Sequence, residues 1–190
     1  MPNDRMLIKG EVTTYAEVLL EATQASGSTF EVTGQLEELQ NTLRSHPGLK
    51  ETLANDSIDM DARGSIIDEV FAGYDASLLE VFKVMVERKE LSLLHRVVEE
   101  YGQLAEEALG AVIIDVTTVV SLDDELREAI KNKFADQFGG ATIMLREHID
   151  PSILGGIILG AHGKRIDASV SARLEQTREA LSSQLSGGER

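Results

Sequence analysis

The sequence predicts two domains, an N-terminal all-α six-helix bundle followed by a small α+β domain. Three observations carry that expectation. Apolar residues recur at three- and four-residue steps in successive stretches between residues 11 and 109, and turn signals separate them. Just after Gly110 the period changes to alternation, the mark of strands. The charge also divides: residues 1–108 hold 21 acidic and 9 basic side chains, net -12, while residues 109–190 hold 12 and 9, net -3. The boundary falls near residues 106–111. The bundle is assigned to 1–106, the second domain to 111–185 and a loose tail to 186–190.

Residues 1–10 show no periodicity and are expected to fray. The first helix starts at Glu11 and carries Val12, Tyr15, Ala16, Leu19 and Leu20. Ser26-Gly27-Ser28 stops it. The second carries Phe30, Leu36, Leu39 and Leu43 despite Gly34, which lowers helix propensity by about 1 kcal/mol. His46-Pro47-Gly48 ends it, and Pro47 suits the first turn of a short third helix with Leu49 and Leu53. A polar loop over residues 55–61 leads to a fourth helix, with Ile66, Ile67, Val70 and Phe71 inward. Gly73-Tyr74-Asp75 breaks it, and Asp75 can cap the fifth.

The fifth helix, residues 76–89, is apolar over most of its circumference: Leu78, Leu79, Val81, Phe82, Val84, Met85 and Val86. A surface helix shows one apolar stripe. An all-round apolar helix is buried or offers a second face to a partner. The sixth, residues 91–109, is amphipathic through Leu94, Val97, Val98, Tyr101, Leu104 and Ala105, with Gly102 a possible kink.

In the second half, Val112, Ile114 and Val116 alternate with Ile113, Asp115 and Thr117 as a strand. Ser121-Leu122-Asp123-Asp124 opens a helix in the manner of a capping box. Leu126, Ile130, Phe134 and Phe138 then recur every fourth residue, and Gly139-Gly140 ends that helix. Residues 142–147 form a second strand, with Ile143 and Leu145 on one face. Asp150-Pro151 is a turn opener, since Pro presets φ and Asp can bond the backbone just beyond it. A third strand is expected over residues 153–159, with Gly155 and Gly156 inside it marking a bulge or close backbone approach. Gly160 and Gly163 bracket a turn into a fourth strand ending at Asp167 and Ser169. A last helix, about residues 168–184, stripes Val170, Leu174 and Leu181. The order is β-α-β-β-β-α.

Composition narrows the function. The chain has 190 residues, 42% of them hydrophobic, with no cysteine and a net charge of -15. That is too hydrophobic for disorder. No stretch approaches the roughly 20 apolar residues of a spanning helix, and the N-terminus lacks a signal pattern. A soluble protein without membrane insertion, kept in the cytoplasm, is expected. Disulfides and thiolate metal sites are excluded. The acidic balance disfavours nucleic acid and anionic lipid and suits a basic or amphipathic protein segment. It also serves as a solubility device.

Candidate chemistry is thin. The glycines at 155, 156, 160 and 163 miss the phosphate-loop spacing, and Gly163-Lys164 is followed by Arg165. The dinucleotide fingerprint fails too, because its glycines must end a strand and open a helix. Asp59, Asp61 and Gly64 mimic the start of a calcium loop, but Arg63 and Val70 occupy positions that need oxygen ligands. His46, His95, His148 and His162 show no metal-ligand pairing. No catalytic residue, cofactor or metal is assigned.

Residues 145–174 carry a resemblance. Ile149-Asp150-Pro151-Ser152, Leu154-Gly155-Gly156-Ile157 and Ile166-Asp167-Ala168-Ser169-Val170 with Arg173-Leu174 follow in order. This pattern is similar to the delta subunit family of the bacterial ATP synthase, the counterpart of the mitochondrial oligomycin-sensitivity conferral protein. Ala168 stands where Gly is usual, and Lys89-Glu90 where Gly-Arg or Asn-Arg is common.

The resemblance implies a non-catalytic stator subunit of a proton-translocating ATP synthase, on the cytoplasmic side of the cell membrane as a peripheral component. The bundle would bind the N-terminal helix of an alpha subunit in a groove between its first and fifth helices. Tyr15, Val18 and Leu19 would line one wall, and Phe82, Val84 and Val86 the other. The competing reading makes all six bundle core. The second domain would grip the C-terminal ends of the b subunits. The alternative function is an acidic helical-bundle adaptor unconnected with ATP synthesis.

Overall fold

The computed structural model describes residues 2–153, 155–161 and 164–167, and the side chains of residues 8–153, 155–161. The chain is helix-rich, with one small sheet, and divides into two compact units, Met1–Leu109 and Gly110–Arg190. The first holds α1 (Pro2–Ser26), α2 (Thr29–Ser45), α3 (Pro47–Ala54), α4 (Met60–Val70), α5 (Ala76–Glu87), a 3₁₀ turn (Leu91–Leu93) and α6 (Leu94–Leu109).

The first helix is longer than its expected start at Glu11. Residues 2–10 are helical, and Ile8 packs on the core a turn before Val12. The i, i+4 step from Ile8 to Val12 was the available signal, and flanking Lys9 and Gly10 obscured it. Its inner face carries Val12, Tyr15, Ala16 and Leu19, all buried. Along α1 these enter two adjoining clusters. Val12 and Tyr15 meet Leu39, Leu43, Phe82 and Met85, while Ala16 and Leu19 meet Val32, Leu36, Leu78 and Tyr101. Each such side chain contributes about 1.5–3 kcal/mol by leaving water, so α1 is a structural wall of the unit.

One polar cluster is enclosed among these residues. The Tyr101 hydroxyl lies 2.9 Å from Thr23 Oγ1 and donates to the Thr29 carbonyl at 3.3 Å. A buried phenol is tolerated only when so satisfied. Burial pushes the Tyr101 phenol up to about 12. The bond joins α6 to both sides of the α1–α2 turn.

Helix ends follow local chemistry. Pro47 opens α3 as expected. Asp75 caps α5, its Oδ1 accepting from the Ser77 amide at 2.8 Å. Val70, expected inward, is 47% exposed, because α4 turns Ile67 and Phe71 to the core. Gly102 lies within an unbroken α6.

The end of α5 is closed by two backbone bonds, Glu90 N–H to Met85 O at 2.8 Å and Lys89 N–H to Val86 O at 3.1 Å. This pairing places its penultimate residue in the left-handed region, normally glycine. Here Lys89 takes it, at φ 64°. The position at which the chain departs from the Gly or Asn of the resembled family is therefore a conformationally costly one.

In the second unit β1 (Ala111–Thr118), α7 (Asp124–Gln137), β2 (Thr142–Ile149), β3 (Ile157–Ala161) and β4 (Lys164–Asp167) form a sheet of order β2-β1-β3-β4. β1 pairs parallel with β2, Ala111 opposite Thr142, and antiparallel with β3, Asp115 opposite Gly160. A parallel pair needs a crossover, and α7 provides it. Ile130 and Phe134 of α7 cover Ile114, Val116 and Ile143.

Three expectations need correcting here. Leu126 and Phe138 are 44% and 36% exposed, because α7 is straight and a strict four-residue step drifts off its buried face. The cap of α7 is Asp123, accepting from the Leu126 amide at 2.7 Å, and not Ser121. The third strand begins at Ile157, after the glycine pair. The expected last helix, with Ser169, Arg173 and Leu174, and the turn at Gly163 lie outside the described residues.

Two outcomes follow for stability. Lys89→Gly should raise the unfolding free energy by about 0.5–1 kcal/mol, since relief of left-handed strain exceeds the loss of an exposed ion pair with Asp56. Urea denaturation checks it; an unchanged or lower midpoint contradicts it. Burial alone would raise the Asp75 carboxyl, but hydrogen bonds from the Ser28 hydroxyl and the Ser77 and Leu78 amides outweigh it and hold Asp75 below the ordinary range. With the folded value below the unfolded one, its stabilisation is present above about pH 4 and lost as pH falls through the folded value. Asp75→Asn should therefore flatten the acid limb of stability below about pH 4 in urea titrations.

Candidate docking seam

The contact between α1 and α5 can be laid out from its two ends. At one end Ser28, just past α1, donates its hydroxyl to Asp75 Oδ2 at 2.7 Å at the head of α5. At the other, the Tyr15 hydroxyl donates to Glu90 just past the tail of α5. The two helices are therefore antiparallel. Burial, reinforced by Glu90, raises the Tyr15 phenol above its usual range, so it remains a donor. Its interaction with Arg88 pulls in the opposite direction.

This frame locates every expected groove residue. Tyr15, Leu19, Phe82 and Val86 are at most 8% exposed and belong to the core clusters. They lie behind the seam, because each falls on the inward phase of its helix. The expectation that they form open walls is corrected for these four. Val18 and Val84 are 52% and 41% exposed. Val18 lies ten residues before Ser28 and Val84 nine after Asp75. At 1.5 Å per residue the two valines stand at nearly the same level, about 15 Å along the seam.

They also flank it. Val18 is one turn beyond Tyr15, and Val84 one turn before Arg88, whose guanidinium reaches the Tyr15 hydroxyl. Half-buried Ala22 and Val81 lie between them and the core, leaving a shallow apolar strip. The second apolar face of α5 is thus Val81 and Val84, narrower than the all-round pattern suggested.

The signature residues of the second unit have structural roles. Asp150 Oδ1 accepts from the Ser152 amide at 2.9 Å, the bond expected of an Asp-Pro turn. That bond and the Ser152 hydroxyl hold the Asp150 carboxyl below its usual range. The Asp150 amide donates to the Thr118 carbonyl at 2.8 Å, tying the turn to the end of β1. Pro151 is exposed between them. Gly155 and Gly156 have φ 124° and 91°, so both need the freedom of glycine to swing the chain from β2 into antiparallel β3. Asp167 ends β4 and Ser169 is outside the described residues.

Sequence reasoning missed the ion pairs that brace this unit. Asp115 and Arg146 are cross-strand partners in register and form a salt bridge. Arg127 of α7 grips Glu147 of β2, holding that carboxyl below its usual range. The lone acid of β1, Asp115, and the adjacent Arg146-Glu147 of β2 were the signal. Asp59 and Asp61, the calcium-loop mimic, sit at the start of α4 and not in a loop. Among the described residues no cluster of His, Cys, Asp and Glu could hold a metal, and no helix is long and apolar enough to cross a membrane.

A helical unit with an antiparallel α1–α5 seam, followed by a small mixed-sheet unit, defines the class of fold. Comparison with known proteins makes this specific. The family model described as ATP synthase delta (OSCP) subunit matches residues 12–181. The chain is 33% identical over 165 residues to an ATP synthase subunit delta of Rhodopirellula baltica, covering 86% of this chain and 72% of that one. It is 28% identical over 177 residues to that of Prochlorococcus marinus, covering 93% and 98%. Among solved structures, a chain of the Toxoplasma gondii mitochondrial ATP synthase hexamer aligns over 90% of this chain and 96% of its own, with TM-score 0.48 and 17% identity. The chain belongs to the ATP synthase delta (OSCP) subunit family, a non-catalytic subunit of the complex. The alternative of an adaptor unrelated to ATP synthesis falls with that match.

The glycine pair offers a direct check. Gly156→Val should destabilise the second unit by about 1–3 kcal/mol, because a β-branched residue is strained at positive φ. Hydrogen exchange of the β1 and β3 amides should accelerate while that of α1–α6 stays unchanged.

Proposed function

We propose that the chain works as a stator element, holding the catalytic head of an ATP synthase still against rotation by gripping two partners. In this reading residues 1–106 form a six-helix bundle domain that receives the N-terminal helix of an alpha subunit. Residues 111–185 form an α+β domain that receives the C-terminal ends of the b subunits. The protein is then peripheral, on the cytoplasmic side of the membrane, and performs no chemistry. Torque is resisted by interface area and fit, so the demands on the chain are rigidity and exposed complementary surface.

The observation that supports the reading most is the pair Val18 and Val84, two exposed valines level with one another across the α1–α5 seam. Helix-in-groove recognition needs such an apolar strip on a rigid support. Tyr15, Leu19, Phe82 and Val86 provide the support from beneath, and Val18 and Val84 the contact.

Val84→Asp tests this. With the valine already 41% exposed, the aspartate should leave the melting temperature close to the parent's. Affinity for a peptide of the alpha-subunit N-terminus should fall by on the order of 2–4 kcal/mol, about thirtyfold or more. Thermal melting of the free variant beside peptide titration is the measurement. Normal melting with undiminished binding would remove the seam as the alpha-subunit site.

A further inference from the structure

We infer that the α1–α5 seam selects an amphipathic helix whose apolar stripe is flanked by lysine or arginine, through a rim of carboxylates in excess of the cations beside them. This rests on the docking reading above and specifies the chemistry of the partner. Beside Val18, the exposed phase of α1 carries Glu21; beside Val84, that of α5 carries Glu80 and Glu87. Glu21 lies three residues after Val18. Glu80 and Glu87 lie four before and three after Val84. All three therefore border the strip at the level of the valines.

Their charge is largely uncompensated. Glu21 and Glu87 form no ion pair among the described residues, and Glu80 shares Lys83 with Asp68. The cations of α5 are already engaged: Lys83 by Asp68 and Glu80, Arg88 by the Tyr15 hydroxyl with Glu90 and Glu11 nearby. Lys9 of α1 stands about two and a half turns from Val18. An apolar strip edged by carboxylates on both helices fits a helix with cationic flanks and repels one with acidic flanks. Like charges facing each other at an interface act as a discriminator.

The experiment uses the full chain and three synthetic helices of about five turns. They share one leucine stripe and differ only in flanking residues: lysine, glutamine or glutamate. Each is titrated at low and high salt against the parent. The variants are Val84→Asp, the rim variant Glu21→Gln/Glu80→Gln/Glu87→Gln, and an off-seam control of equal charge, Glu31→Gln/Glu51→Gln/Glu107→Gln.

The lysine-flanked helix should bind the parent about tenfold tighter than the glutamine-flanked one at low salt, from three exposed pairs each worth a few-fold. High salt and the rim variant should each remove most of that difference, and the off-seam control should retain it. If lysine- and glutamine-flanked helices bind alike while Val84→Asp weakens both, the seam docks a helix but the rim does not select it, and the inference is overturned. An equal loss in the rim and off-seam variants would mean general attraction to an acidic protein and would overturn it too. Binding indifferent to Val84→Asp would overturn the docking reading itself, and this inference with it.

Discussion

The antiparallel packing of α1 on α5 is the constraint on which the first unit depends. Its two ends are fixed by side-chain bonds, Ser28 to Asp75 between residues just outside the helices and Tyr15 of α1 to Glu90 just past α5. With ends fixed, the rotational phase of each helix is set by burial. Ala16 and Leu19 on one side and Leu78, Phe82 and Met85 on the other must face inward. That phase leaves Val18 and Val84 on the outside with no freedom to turn in. Their exposure therefore follows from how the core is packed, and the core beneath holds the strip in place.

The same economy appears in the second unit. β1 is central, paired parallel on one side and antiparallel on the other. The parallel side demands a helix crossover. The antiparallel side demands a reversal within a few residues, and Asp150, Gly155 and Gly156 supply it by a side-chain-capped turn and two positive φ angles. Signature residues of this stretch thus fix a backbone path.

Much of this was legible in the sequence because period is a strong signal. The change near Gly110, the Asp75 cap and the strand at 111–118 needed only apolar spacing and one capping side chain. What was missed depends on phase and not on period. A helix that is apolar all round does not say which apolar residues face in. Phe82 and Val86 were therefore placed on the groove wall with Val84, although a 100° step puts them on the opposite side. Val70 failed likewise beside Ile67 and Phe71. The glycine pair lay next to an apolar run and was read into the strand; only the backbone angles separate a bulge from the turn that precedes a strand. The start of α1 was hidden because one apolar residue, Ile8, does not make a period.

If the strip docks a partner helix as proposed, Val84 is covered in the working complex while the fold beneath it is unchanged. The absence of cysteine from the chain allows a direct measurement. Val84→Cys, and Glu51→Cys on exposed α3 as a reference, can each be reacted with a thiol reagent before and after the protein is assembled on purified catalytic head particles. Assembly should slow labelling at position 84 by at least about tenfold, equivalent to about 1.4 kcal/mol of protection, and leave position 51 reactive. Unchanged labelling at position 84 in the assembled particle would contradict it.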